Sequence, residues 1–204
     1  LDRDVTQIRT LALVGAQAAG KTTLSEALLH RAGAITTMGS VDKGSTVSDH
    51  DPTERRMQHS LHAALLHLEH ADTRIHLIDT PGAADFVGQA LPALEAVETV
   101  AIVINADAGI EPMAVRMMAY AKSRHLDCLL IVNKIDAADA DLPGLLAQIQ
   151  ATFGRECLPL NLPDEGGRKV VGKKGTATAA TSTAAPAAAM AAFGRSSTPC
   201  RLLR

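Results

Sequence analysis

Short apolar runs closed by turn residues alternate along this chain with stretches whose leucines, alanines and methionines recur at helical spacing. The runs predict strands over 8–14, 74–78, 100–105, 127–132 and 156–160. The periodic stretches predict helices over 21–32, 84–95, 112–123 and 142–153. Strand and helix in strict alternation is the pattern of a mostly parallel, doubly wound α/β sheet with helices on both faces. Pro112 suits a first helical position. Pro92 falls inside a predicted helix and is expected to break or kink it.

Polar motifs stand at the C-terminal ends of three of these strands, where open α/β sheets bind ligands. After Leu11-Ala12-Leu13-Val14 comes Gly15-Ala16-Gln17-Ala18-Ala19-Gly20-Lys21-Thr22, followed by Thr23 and the helical Leu24-Ser25-Glu26-Ala27-Leu28-Leu29. The order strand, Gly-x4-Gly-Lys-Thr, helix is that of a phosphate loop, whose backbone N–H groups curl around phosphates at a helix N-terminus. Lys21 is placed to reach the outer phosphates and the Thr22 hydroxyl to ligate Mg2+. Leu77-Ile78-Asp79-Thr80-Pro81-Gly82 ends a second strand with a carboxylate for the magnesium shell and a glycine N–H for the terminal phosphate. Leu129-Leu130-Ile131-Val132-Asn133-Lys134-Ile135-Asp136 ends a third. A carboxylate at Asp136 accepts two hydrogen bonds from guanine, whereas adenine leaves that acceptor unpaired. Alone, Asn133, Lys134 and Asp136 read as an ordinary polar loop. With the other two motifs ahead of them they read as a guanine site, which disfavours an ATPase.

On these motifs the chain resembles the GTPase domain of translational GTPases, most closely elongation factor G and its divergent bacterial elongation factor G-like group. Gln7-Ile8-Arg9-Thr10-Leu11, Asp79-Thr80-Pro81-Gly82-Ala83-Ala84-Asp85-Phe86, Asn105-Ala106-Asp107-Ala108-Gly109-Ile110-Glu111-Pro112 and Leu158-Pro159-Leu160-Asn161-Leu162-Pro163 also carry the likeness. It covers 6–171 and then stops. The resemblance implies a P-loop NTPase fold that hydrolyses GTP with Mg2+ and acts on the ribosome. Lys21 and Gly82 would then serve catalysis, and Thr22, Ser60 and Asp79 the metal. It also implies that 38–56 is the first switch region, expected as an untethered mobile loop. The ambiguous stretch 59–70, whose leucines also fit a helix, would become an antiparallel edge strand.

The chain departs from the resemblance at several positions. Ala16 stands where these proteins usually carry His, Ala18 where elongation factor G commonly has Asp, and Ser60 where the magnesium-ligating Thr is expected. Ala83 replaces the His that positions the attacking water. The family's fifth guanine-contacting motif, Ser-Ala-Leu/Lys, is missing. These losses favour a nucleotide-binding module without turnover, or an inactive truncated product, as the alternative.

Composition changes the picture in several places. Aromatic residues make up only 2%, so the core must be built from Leu, Ile, Val and Ala. A formal charge of −2 argues against a broadly basic nucleic-acid surface, and direct DNA binding is not expected. Cys128, Cys157 and Cys200 lack metal-ligand spacing and read as reduced thiols. His59, His62, His67, His70 and His76 cluster without a completing Cys or carboxylate set, so they read as solvent-facing or edge-strand residues. No apolar run approaches a membrane span, no signal peptide is evident, and a cytoplasmic protein is expected. Residues 1–171 form the expected GTP-binding domain, incomplete relative to the family. Residues 172–204 are an Ala/Thr/Ser tract with Pro186 and Pro199. It is expected to be disordered, as a reading-frame or truncation product or as a natural low-complexity tail. A first residue other than Met points to a fragment or a processed start.

Overall fold

The computed structural model describes residues 4–137, 140–164, 169–172 and 189–193. The chain divides into two compact units, Leu1–Val100 and Ala101–Arg204.

In the first unit β1 (Ile8–Gly15) pairs in parallel with β3 (Thr73–Asp79), from Ile8 opposite Arg74 to Leu13 opposite Asp79. β2 (Ala64–His70) pairs antiparallel with β3 at the edge, so the strand that the resemblance implied over 59–70 forms, but only from Ala64 onward. Alternation decides it: Leu66 and Leu68 point to the core while Leu65, His67 and Glu69 face out. α1 (Lys21–Arg31) packs on β1, β2 and β3. Ala12, Leu13, Val14, Leu29, Leu77 and Leu94 are among its core residues.

Two predicted features of this unit differ. The helix expected over 84–95 opens as a 3-10 turn, Ala84–Phe86, and becomes α3 at Val87–Glu95. α3 runs on through Pro92 instead of breaking there. The Gly88 carbonyl, one turn back, loses its donor. Packing of Ala90, Ala93 and Leu94 into the core keeps the turns together across the gap.

In the second unit β5 (Asp127–Asn133) follows β4 (Thr99–Asn105) in the sheet, and α4 (Pro112–Ser123) packs on β5. α4 starts at Pro112, whose missing N–H is no loss in a first turn. α5 (Leu142–Phe153) starts at Asp141, whose side chain accepts from the Gly144 N–H at 3.0 Å. The strand expected over 156–160 shortens to β6, Leu158–Pro159. Cys157 is held in a turn by its N–H to the Gly154 carbonyl, and Pro159 cannot donate to a ladder. β7 (Asn161–Asp164) and β8 (Lys169–Gly172) form an antiparallel hairpin. Most of the tail expected to be disordered lies outside the described residues. Within it, β9 (Ala189–Phe193) pairs antiparallel with β5 and β6, where no strand was expected. A ladder is made by backbone N–H and C=O groups, which an Ala-rich segment carries as any other does.

Candidate functional site

β1 delivers the chain into a loop that only unusual backbone angles can close. Gly15 has φ 143°, Gly20 φ 93°, and Ala18 is left-handed at φ 61°. The Lys21 ammonium is buried under this loop and donates to the Gly15 carbonyl at 3.0 Å and the Ala16 carbonyl at 2.8 Å. Gln17 and Ala18 are exposed at the tip, and Thr22 and Thr23 open α1 behind them. The loop therefore faces outward with a fixed cation at its base, as phosphate binding requires.

Asp79 closes β3 and is 1% exposed, yet neither carboxylate oxygen has a hydrogen-bond partner. Burial pushes its pKa up to about 6; the Thr22 and Ser48 hydroxyls and the Lys21 ammonium oppose that rise, and Asp49 adds to it. The two hydroxyls ease the charge without donating to it, and the buried Ser48 Oγ is itself unpartnered. The Thr22 Oγ1 lies 3.4 Å from the Ser60 Oγ, which donates to Asp49 Oδ1 at 2.8 Å. Oxygen groups of Thr22, Ser48, Asp49, Ser60 and Asp79 are thus gathered around an orphaned carboxylate. This donor set, all oxygen and carrying uncompensated negative charge, fits a small hard cation such as Mg2+. Among the described residues no three His, Cys, Asp or Glu side chains form a metal cluster.

The turn after β3 is pinned to β1. Thr80 donates to the Leu13 carbonyl through its hydroxyl at 2.7 Å and its N–H at 3.3 Å. That brings Gly82 against the loop so closely that a Cβ there would overlap the Lys21 Nζ and the Ala16 carbonyl. Ala83 follows in extended conformation and starts the 3-10 turn, with its methyl where the resemblance placed an imidazole.

The first switch region is not the untethered loop the sequence led us to expect. Glu26 and Glu54, both buried, accept backbone N–H groups across it. Glu54 takes those of Leu61, His62 and Asp51, and closes a capping box with Asp51 on α2 (Pro52–Met57). Burial works against the Glu54 charge, but these N–H groups hold its pKa below the usual value. Thr46 and Ser60 both donate to Asp49. A polar, glycine-rich composition hid these anchors: those of Glu26 come from another element, and those of Asp49 and Glu54 join residues 3 to 11 apart within and just beyond the segment. The signal that was present is a carboxylate at Glu26 on the same helix face as the buried Ser25 and Leu29.

In the second unit Asn133 ends β5, and its carbonyl accepts the Ala106 N–H at 2.9 Å. Lys134 turns left-handed at φ 57°, Ile135 is buried as an anchor, and Lys134 and Asp136 are exposed. The turn therefore presents the two polar ends of the motif outward from a fixed base. Burial pushes the Cys128 and Cys157 thiols up to about 11, which makes them poor nucleophiles.

The family of the elongation factor Tu GTP binding domain matches residues 6–198. The chain belongs to this family. The match runs past Val171, where the likeness read from the motifs ends. Among curated relatives, the elongation factor G-like protein of Mycobacterium tuberculosis is 36% identical over 78% of this chain and 22% of its own length. Peptide chain release factor 3 of Nitrosomonas europaea is 34% identical over 84% and 33%, and mitochondrial ribosome-releasing factor 2 of Danio rerio 31% over 83% and 22%. The chain therefore spans between a fifth and a third of these relatives. The crystal structure of ttk003000868 from Thermus thermophilus superposes with TM-score 0.76 at 31% identity, covering 88% of this chain and 28% of that one. A bacterial selenocysteine-specific elongation factor, at 22% identity and TM-score 0.55, shares the fold over 70% of this chain and 23% of its own. The mostly parallel α/β reading with an antiparallel edge strand is that of a translational GTPase domain. No described helix is long and apolar enough to cross a membrane.

Proposed function

We propose that this domain binds GTP and GDP and hydrolyses GTP as part of an elongation factor G-like factor acting on the ribosome in the cytoplasm. The buried, unpartnered Asp79 carboxylate beside Thr22 and Lys21 carries the reading, because a fold bears such a charge only where a ligand compensates it. The loop backbone from Gly15 to Thr23 would cradle the phosphates, and Lys21 would hold charge that develops on the outer ones. The Gly82 N–H would meet the terminal phosphate. Thr22, Ser60 and Asp79 would hold Mg2+, with Asp49 keeping the Ser60 hydroxyl in place. When bound, the ion neutralises charge on the transferring phosphoryl group. Asn133, Lys134 and Asp136 would select guanine.

Calorimetric titration tests the reading. GDP is expected to bind at least about a hundredfold more tightly than ADP, since losing a bidentate carboxylate contact costs several kcal/mol. Equal affinities would refute it. Ala83 supports a second reading, a module that binds guanine nucleotides without turnover. Its methyl neither donates nor accepts a hydrogen bond to the attacking water.

A further inference from the structure

Glu26 sits on α1 just beyond the phosphate loop and is fully buried. A carboxylate taken out of water needs strong donors, and Glu26 draws two of its own from the first switch region. Its Oε2 accepts the Gly39 N–H at 2.8 Å and its Oε1 the Val47 N–H at 2.5 Å. The approach at Gly39 is close: a Cβ there would overlap the Ser45 carbonyl oxygen and press on Glu26 Oε2. Two residues past Val47, Asp49 accepts the hydroxyls of Thr46 and Ser60, each at 2.8 Å. The Ser60 Oγ stands 3.4 Å from the Thr22 Oγ1, on the first turn of the same α1. One helix therefore carries Thr22 directly and, through Glu26 and the segment it grips, sets where Ser60 stands.

We infer that Glu26 is a positioning residue: it docks segment 39–49 on α1 so that the Ser60 hydroxyl is held beside Thr22 before nucleotide and cation arrive. The inference rests on the guanine-nucleotide reading proposed above. Ordering a loop of this length during binding would draw on the affinity for the ion, whereas here folding has already ordered it.

Glu26→Gln replaces one acceptor oxygen with an NH2 group, so one of the two backbone N–H groups faces a donor. In the full chain without nucleotide, the Gly39 and Val47 amides are expected to be protected from hydrogen exchange. They should exchange about tenfold faster in the variant. The Mg2+ concentration that half-maximally slows GDP release is expected to rise about tenfold, with the preference for GDP over ADP unchanged. A residue acting only through overall stability would lower the urea midpoint and leave that Mg2+ concentration where it was. Gly39→Ala pushes the loop away from the other side, leaves α1 intact, and should reproduce both effects if Glu26→Gln does not fold. Unchanged exchange in the folded variants overturns the docking. Faster exchange with an unchanged Mg2+ requirement overturns the positioning role. A wild-type chain that holds no GDP overturns the guanine-nucleotide reading, while the exchange data still decide the docking.

Discussion

Asp79 sets the balance between stability and ligand binding at the level of one side chain. Its pKa is about 6 in the fold against 3.8 in the unfolded chain. Below about pH 4 both states hold the proton, and the favourable difference is fully present. As pH rises through 6 the unfolded chain has already ionised, and the fold loses about 3 kcal/mol. Urea titrations of the nucleotide-free chain should therefore show stability falling between about pH 4 and 6, a trend that Asp79→Asn abolishes. The same variant should be more stable than wild type at pH 7 and should lose Mg2+-dependent retention of GDP. A flat profile for the wild-type chain would contradict the burial argument. The environment of Asp79 was not legible in the motif. Spacing named the residue, but only the structure showed both oxygens without partners.

Elements were read well where period and capping agreed, and less well where a proline competed with packing. β1, α4 and α5 lie within a residue of their expected bounds, since apolar runs, helical periodicity and, for α4, Pro112 all pointed the same way. α3 went against its local signal. Pro92→Ala restores the donor to the Gly88 carbonyl and is expected to raise stability by about 1–3 kcal/mol in chemical denaturation. No gain would mean that the helix has already relaxed around the ring. The first switch region was misread for the opposite reason. Its composition is that of a loop, but Glu26 reaches it from α1, and Asp49 and Glu54 within it accept donors from Ser60 and Leu61 beyond its end.

For the whole molecule, the chain spans only 22% to 33% of the length of the relatives compared. In the proposed reaction, positioning of water is most of what the protein contributes. The Ala83 methyl leaves that task to other groups. Single-turnover GTP hydrolysis in the presence of ribosomes is therefore expected to speed up by about two to four powers of ten in Ala83→His, with GTP affinity unchanged. An unchanged rate in a folded, GTP-bound variant would remove Ala83 from the explanation.

The sequence by itself determined the α/β alternation, the phosphate loop and the two other strand-end motifs. Each of these rests on short-range spacing: a strand's length, a glycine's freedom at a turn, a hydroxyl next to a lysine. Tertiary structure alone decided how far burial raised Asp79 and what held the first switch region to α1. Those outcomes depend on contacts between residues far apart in the chain, and burial and hydrogen-bond pairing exist only once those residues have been brought together.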